Sequence, residues 1–159
     1  MTGRAGLVLV AAVAFALTGC DAAAGAFRLD GDERPAGAEA VPADRLVLHV
    51  MNGTALAVAV AVNGAALAVV PPRDGAQWPA AQLPALPWLV EARTVAGRLL
   101  TTMTVRPGDV WTVDVPGKAA FGGSFARIDL SCGRLDLWAA MFQPSGPAPG
   151  PGQLGDCAP

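Results

Sequence analysis

Residues 55–70 contain the pattern that decides the fold: ALAVAVAV at 55–62 is followed by Asn63-Gly64 and then by AALAVV at 65–70. Alanine and valine alternate along the first run, and a period of two places successive side chains on opposite faces of a β-strand. Asn-Gly between two apolar runs favours a tight hairpin turn, because both residues tolerate a positive φ. Alanine is the best helix former, but the alternation and the bounding Asn-Gly turns outweigh that propensity. The stretch predicts a β-hairpin.

The same rhythm of short apolar runs between turn residues continues on both sides. Asn52-Gly53 predicts another hairpin turn, and breaks rich in Gly and Pro follow as far as Cys132-Gly133. Together they predict an all-β domain over residues 45–143, a single antiparallel β-sandwich of immunoglobulin-like type with about eight short strands. A short helix within 134–142 is the alternative for the last segment. The predicted strands are residues 45–51, 55–62, 65–70, 88–94, 98–105, 110–115, 125–130 and 134–141.

Alternation along these strands predicts which side chains are buried. The strands supply an apolar inner set, so we expect a core without polar residues. The acidic residues that alternate with it, Glu91, Asp114, Asp129 and Asp136, are expected on solvated faces. Trp88, Trp111 and Trp138 lie in strands, where tryptophan is usually part of the core. The other side chains predicted to face inward are Leu56, Val58, Val60, Val62, Val90, Ala92, Val113, Val115, Ala126, Ile128 and Leu130.

The N-terminus contains a separate apolar segment. Residues 5–17 have no charge and follow Arg4. A helix of that length measures about 20 Å, which is too short for a hydrocarbon core of about 30 Å. A positive residue followed by a short apolar run is typical of a secretory signal peptide, which we assign to residues 1–19.

Leu17-Thr18-Gly19-Cys20 at the end of this segment resembles the lipobox of bacterial lipoproteins. The resemblance covers these four residues only, and residues 45–159 resemble no characterised family. It implies a diacylglyceryl group on the Cys20 thiol and cleavage before Cys20. Two or three acyl chains are sufficient for stable anchoring. The resemblance therefore implies a protein held by lipid on the extracytoplasmic face of the cell membrane, with the membrane as a partner.

The chain has three cysteines, so lipidation of Cys20 leaves Cys132 and Cys157. Outside the cytoplasm these two are expected to form a disulfide. Neither lies in a CxxC spacing or beside a histidine, so a metal or redox role is the weaker interpretation. We expect residues 20–44 to be a lipidated N-terminus with a flexible tether, and the Pro- and Gly-rich tail at 144–159 to be tied back by this disulfide.

Charge and motif content exclude several classes of function. The formal net charge is −2 at pH 7, without the basic patch that binding to phosphates requires, so nucleic acid is not an expected partner. The only histidine is His49, within the first predicted strand, and no GxSxG elbow is present. We predict that the protein is not an enzyme and that it needs no cofactor.

Two features suggest binding. His49-Val50-Met51 is an HxM triplet, which is similar to part of the copper motif of periplasmic copper chaperones; that motif also requires a second histidine and further methionines. Trp78 lies in a segment interrupted by prolines, where a ring can be a platform for a sugar or a peptide, or can pack over the end of the domain. The prediction is a non-enzymatic binding or structural module of the cell envelope with an unknown envelope protein or glycan as partner. The alternatives are a carbohydrate- or peptidoglycan-binding module using Trp78, and a copper-handling lipoprotein using His49 and Met51.

Overall fold

The computed structural model describes residues 34–115, 118–140, 143 and 152–159. The predicted signal peptide at 1–19, the predicted lipidation site Cys20 and the first part of the predicted tether lie outside the described residues. Much of the predicted tail, 144–151, also lies outside them.

The described chain consists mainly of antiparallel β-strands. It also contains two short 3₁₀ helices, Ala43–Arg45 and Ala80–Gln82. In the part of the chain that the structure describes, no helix is both long and apolar enough to cross a membrane. The strands are β1 (Glu39–Ala40), β2 (Val47–Asn52), β3 (Val58–Val62), β4 (Ala65–Val70), β5 (Asp74–Pro79), β6 (Trp88–Thr94), β7 (Leu99–Val105), β8 (Trp111–Val115), β9 (Lys118–Gly122), β10 (Ser124–Leu130) and β11 (Gly133–Ala139).

These strands form three sheets, with strand orders β10-β11-β2-β5, β4-β3-β6-β7 and β1-β8-β9. The all-β prediction is confirmed, and a strand occurs in each of the predicted segments, including the last, where a helix was the alternative. The predicted single sandwich does not include every strand, because β8 pairs with β1 and β9 in a third sheet. The reason lies in the predicted tether, where Glu39 and Ala40 pair with Thr112 and Trp111.

Three strands were not predicted from the sequence: β1, β5 and β9. β5 contains Gly75 and ends at Pro79, and both residue types weaken a strand. It lies at the edge of its sheet, where a proline without an N–H is tolerated. β1 has only two residues, which is too short for a periodic pattern.

The hydrophobic core lies between the two four-stranded sheets, because both contribute to one cluster of buried side chains. The predicted inner face of β6, Trp88, Val90 and Ala92, is buried. Ala126 and Ile128 pack partly buried against the same cluster. The side chain of Val115 lies outside the described set. The cluster consists of Leu46, Leu48, Val50, Val58, Val60, Val62, Val70, Trp88, Val90, Ala92, Met103, Val105, Val110, Leu135, Leu137 and Ala139.

Of the two Asn-Gly dipeptides, only the second forms the predicted hairpin. Asn63 and Gly64 have φ values of 52° and 79°, and β3 pairs directly with β4. The prediction for Asn52-Gly53 is wrong, because β2 pairs with β5 and β11 rather than with β3. After Asn52 the chain crosses to the other sheet.

Asn52 is itself part of the interior, with an exposure of 0%. Its Nδ2 donates to the carbonyl oxygens of Leu56, at 2.7 Å, and Pro71, at 2.8 Å, while its Oδ1 accepts from the Thr54 hydroxyl at 2.6 Å. The expectation of a core without polar residues is therefore wrong. A carboxamide satisfies the carbonyl of Leu56 in this crossing loop and that of Pro71 after β4, which a buried apolar residue cannot do.

The C-terminal segment is fixed to the domain as predicted. Cys132 and Cys157 form a disulfide with Cα atoms 5.8 Å apart. The guanidinium of Arg98 donates to the Gly155 carbonyl at 3.2 Å and also to the Asp156 carbonyl. The end of the chain thus lies beside the turn between β6 and β7.

Candidate functional site

The outer face of the β10-β11-β2-β5 sheet carries a row of ring and amide side chains. Phe125 pairs in register with Trp138, Trp138 with His49, and His49 with Gln77, so one row crosses all four strands. Leu48 and Val50, which flank His49 along β2, point into the core. Alternation therefore directs His49 away from the core, onto the solvent side.

His49 and Trp138 form a stacked pair. Their ring centroids are 4.9 Å apart and the ring planes differ by 7°. Partial burial lowers the pKa of His49 from its ordinary value of 6.5, because desolvation penalises the imidazolium form. The imidazole is therefore neutral at neutral pH, with one nitrogen able to donate a hydrogen bond and the other able to accept one.

Beside this pair lies an open depression of about 400 Å³, which we call the His49 depression. Met51 has the same orientation as His49 along β2 and is 41% exposed. The absence of a side chain at Gly75 leaves room for the Met51 methyl group, since a Cβ atom at position 75 would lie 3.2 Å from Met51 Cε. The side chains that line the depression include His49, Met51, Gln77, Trp138 and Gln143.

The next row on the same face is ionic. Arg127 pairs in register with Asp136, and Arg127 Nε donates to Asp136 Oδ1 at 2.6 Å. Gln143 Nε2 donates to the other carboxylate oxygen at 3.2 Å. Asp136 was expected on a solvated face, but it is only 3% exposed. The interpretation was wrong because the guanidinium and the carboxamide cover the carboxylate.

A second ion pair lies in the following row, nearer the turn between β10 and β11. Arg134 Nε donates to Asp129 Oδ1 at 2.7 Å. This hydrogen bond and the positive charge of Arg134 lower the pKa of Asp129 below its ordinary value of 3.8. The Asp129 side chain is 39% exposed, so the carboxylate of this pair lies at the surface, whereas that of Asp136 is buried.

The structure separates the candidate residues. His49 and Met51 lie together at the His49 depression, whereas Trp78 pairs with the buried Leu48 and packs partly buried against the core. The disulfide of Cys132 and Cys157 joins the turn between β10 and β11 to the C-terminal segment. Cys20 lies outside the described residues.

Sequence reasoning missed the role of Trp138, which was predicted to lie in the core. It is buried, but it lies on the outer face beneath His49 rather than among the core side chains. The signal was present in the alternation of RLDLWA, which places Arg134, Asp136 and Trp138 on one side and Leu135 and Leu137 on the other. Gln77 was missed because β5 was not predicted.

The capacity for metal binding is limited. The described residues contain no cluster of three or more His, Cys, Asp or Glu side chains able to hold a metal ion. His49 and Met51 supply one imidazole and one thioether at the depression, a pair of ligands suited to a soft ion. No protein family, curated protein or solved structure was found to match this chain.

Proposed function

We propose that this chain is a lipid-anchored, extracytoplasmic module of the bacterial cell envelope that binds its partner at the His49 depression. The observation that carries the binding role is the depression itself, where a stacked pair of rings, a thioether and two carboxamides surround one open space. Binding sites typically combine an apolar lining with a few polar groups that fix the orientation of the ligand. The Leu17-Thr18-Gly19-Cys20 sequence supports the anchor.

For the fold we propose an immunoglobulin-like sandwich. In that fold strand B pairs with E in one sheet, while C pairs with F and F with G in the other. The pairings β2–β5, β3–β6 and β6–β7 follow this scheme. The place beside β2, which an N-terminal strand takes in that fold, is here taken by β11.

The role that we propose for His49 is binding rather than catalysis. A general base needs a hydrogen-bonded nucleophile, and usually a second group that orients the ring. The His49 ring instead stacks on Trp138, an arrangement that orients it through an apolar surface. We therefore propose a module that is not an enzyme and has no cofactor.

Photo-crosslinking in living cells tests the binding role. A photoreactive residue in place of Gln77 is expected to give adducts with envelope material of any chemical class. The control position is Thr104, which is exposed on the other four-stranded sheet. Equal adduct formation at positions 77 and 104 would contradict the binding proposal.

Fractionation tests the anchor independently. Wild-type protein is expected in the membrane fraction with an acylated Cys20 at its N-terminus. Cys20→Ala is expected to accumulate as precursor of higher mass or to be released as soluble protein. A Cys20→Ala protein with the wild-type N-terminus and full membrane association would contradict the anchor.

A copper-handling role is the second candidate, because His49 and Met51 line the same depression. Competition with a colorimetric Cu(I) chelator tests it. If copper binds there, Met51→Leu is expected to weaken the retention of Cu(I), whereas Met103→Leu, at a buried core position, is not. Equal retention by both variants would reject copper binding at this site.

A further inference from the structure

The polar groups at the His49 depression are all uncharged. They are the imidazole of His49 and the carboxamides of Gln77 and Gln143, and the residues that line the depression include no charged side chain. The nearby Asp136 carboxylate is already paired with Arg127. An ionic ligand would lose hydration here without gaining an opposite charge, so the lining favours a neutral ligand.

These groups retain hydrogen-bonding capacity. Within the described part of the chain, the Gln77 carboxamide and the ring nitrogens of His49 have no hydrogen-bond partner. Gln143 uses Nε2 to bond to Asp136, which holds its amide in place and leaves its carbonyl oxygen available. Carboxamides and a neutral imidazole both donate and accept, as a hydroxyl group does. The depression is thus matched to a ligand rich in hydroxyl groups.

Apolar surface lies among these polar groups. Met51 is 41% exposed, and the buried Trp138 ring stacks on one face of the imidazole. A pyranose ring has the same mixed character, with C–H groups on its faces and hydroxyl groups around its edge. Aromatic and other apolar side chains commonly contact such faces while amides bond to the edge.

We propose that the His49 depression binds a neutral oligosaccharide, an inference that rests on the proposed binding function and names its ligand class. The Gln77 carboxamide bonds to sugar hydroxyls, and Met51 contacts the C–H surface of the ring. A peptide is less well matched, because peptides that bind sheets add to a free strand edge. Here the rings and amides project from the face of the sheet, whereas the free edge of β5 would hold a peptide through its backbone, beside the depression rather than in it.

Isothermal titration of the full-length acylated protein in detergent tests this proposal, with chitotetraose and cellotetraose as probes. The variant is Gln77→Ala, and the matched control is Gln82→Ala, because Gln82 is also exposed but lies in the second 3₁₀ helix, away from the depression. We expect at least one saccharide to bind. Loss of one hydrogen bond of about 1.4 kcal/mol is expected to raise Kd about tenfold in Gln77→Ala and to leave Gln82→Ala unchanged. Equal melting temperatures would show that both variants are folded.

Two results would overturn the saccharide proposal. One is the same Kd for Gln77→Ala and Gln82→Ala, and the other is the absence of binding to both probes. The crosslinking experiment separates this failure from failure of the binding function. Adducts at position 77 that consist of protein rather than glycan would retain the binding module and reject the saccharide. An absence of adducts specific to position 77 would reject the binding module itself.

Discussion

The hydroxyl of Thr54 donates a hydrogen bond to Oδ1 of Asn52 at 2.6 Å, and both residues have an exposure of 0%. The pair lies where the chain leaves β2 and crosses to β3. Thr54 Oγ1 in turn accepts from the Leu56 N–H at 3.2 Å. A buried polar network therefore fixes the path of the chain between the two four-stranded sheets.

Replacing Asn52 with Leu is expected to lower the free energy of unfolding by about 2–4 kcal/mol, because the carbonyl groups of Leu56 and Pro71 lose their donor. The apolar area gained does not compensate for buried carbonyl groups without partners. Denaturant titration of the full chain measures the difference, with Gln82→Ala as a surface control. A loss below about 0.5 kcal/mol would contradict the structural role of the network.

Asp136→Ala is expected to cost about 2 kcal/mol of stability, because the buried carboxylate accepts hydrogen bonds from both Arg127 and Gln143, and both are lost. The matched control is Asp129→Ala on the same strand pair. The Asp129 side chain is 39% exposed, so this ion pair is screened by water and the expected cost is below about 1 kcal/mol. Chemical unfolding of both variants provides the comparison, and equal losses would show that burial of Asp136 has no energetic consequence.

The stability of the domain is expected to fall on mild acidification. Burial lowers the pKa of His49 below 6.5 in the folded protein, so the unfolded chain binds the proton more readily. The contribution of His49 to the free energy of unfolding is fully present above the pKa of the unfolded chain. It is lost as the pH falls towards the lowered pKa of the folded protein. His49→Phe keeps a ring beside Trp138 without a titrating group, and is expected to reduce the decline between about pH 7 and pH 5. Unfolding midpoints over this range measure the effect, and an unchanged decline in the variant would assign it to other groups.

Reduction of the Cys132–Cys157 disulfide is expected to release the C-terminal segment and to destabilise the domain by about 3 kcal/mol, since the bond closes a loop over a sequence separation of 25. All three sheets and the core form from residues that precede the tail, so the β-rich circular dichroism spectrum is expected to persist. The double variant Cys132→Ser/Cys157→Ser with limited proteolysis measures the release. Equal protease resistance of the tail in the variant and the wild type would indicate that contacts such as those of Arg98 are sufficient.

Local chemistry explains why most of the fold was predictable from the sequence. The Ala/Val alternation of β3 and the positive φ of Asn63 and Gly64 are both properties of short segments. The structural role of Asn52 was not predictable from its local sequence. Its dipeptide has the same hairpin signal as Asn63-Gly64, and only the pairing of β2 with distant strands decides that its amide is buried.

Only the part of the candidate site that lies on a single strand was predictable from the sequence. His49 and Met51 are two positions apart on one strand, so their common face follows from strand geometry. Gln77 and Trp138 come from β5 and β11, and their approach to His49 depends on the register of three strands. For Trp78 the sequence left open an exposed platform or packing over the end of the domain, and its position in β5 turns the ring towards the core.

The pairing of β2 with β11 determines when the His49 depression forms as the chain folds. Trp138 and His49 are register partners, yet one belongs to the first long strand and the other to the last. A growing chain can close the β3–β4 and β6–β7 hairpins early, because those contacts are local. The β10-β11-β2-β5 sheet has to wait for the C-terminal hairpin, a contact of high sequence separation that forms slowly. Until β11 is available, that edge of β2 is unpaired and His49 lacks its stacking partner, so truncation before residue 133 is expected to remove the His49 depression.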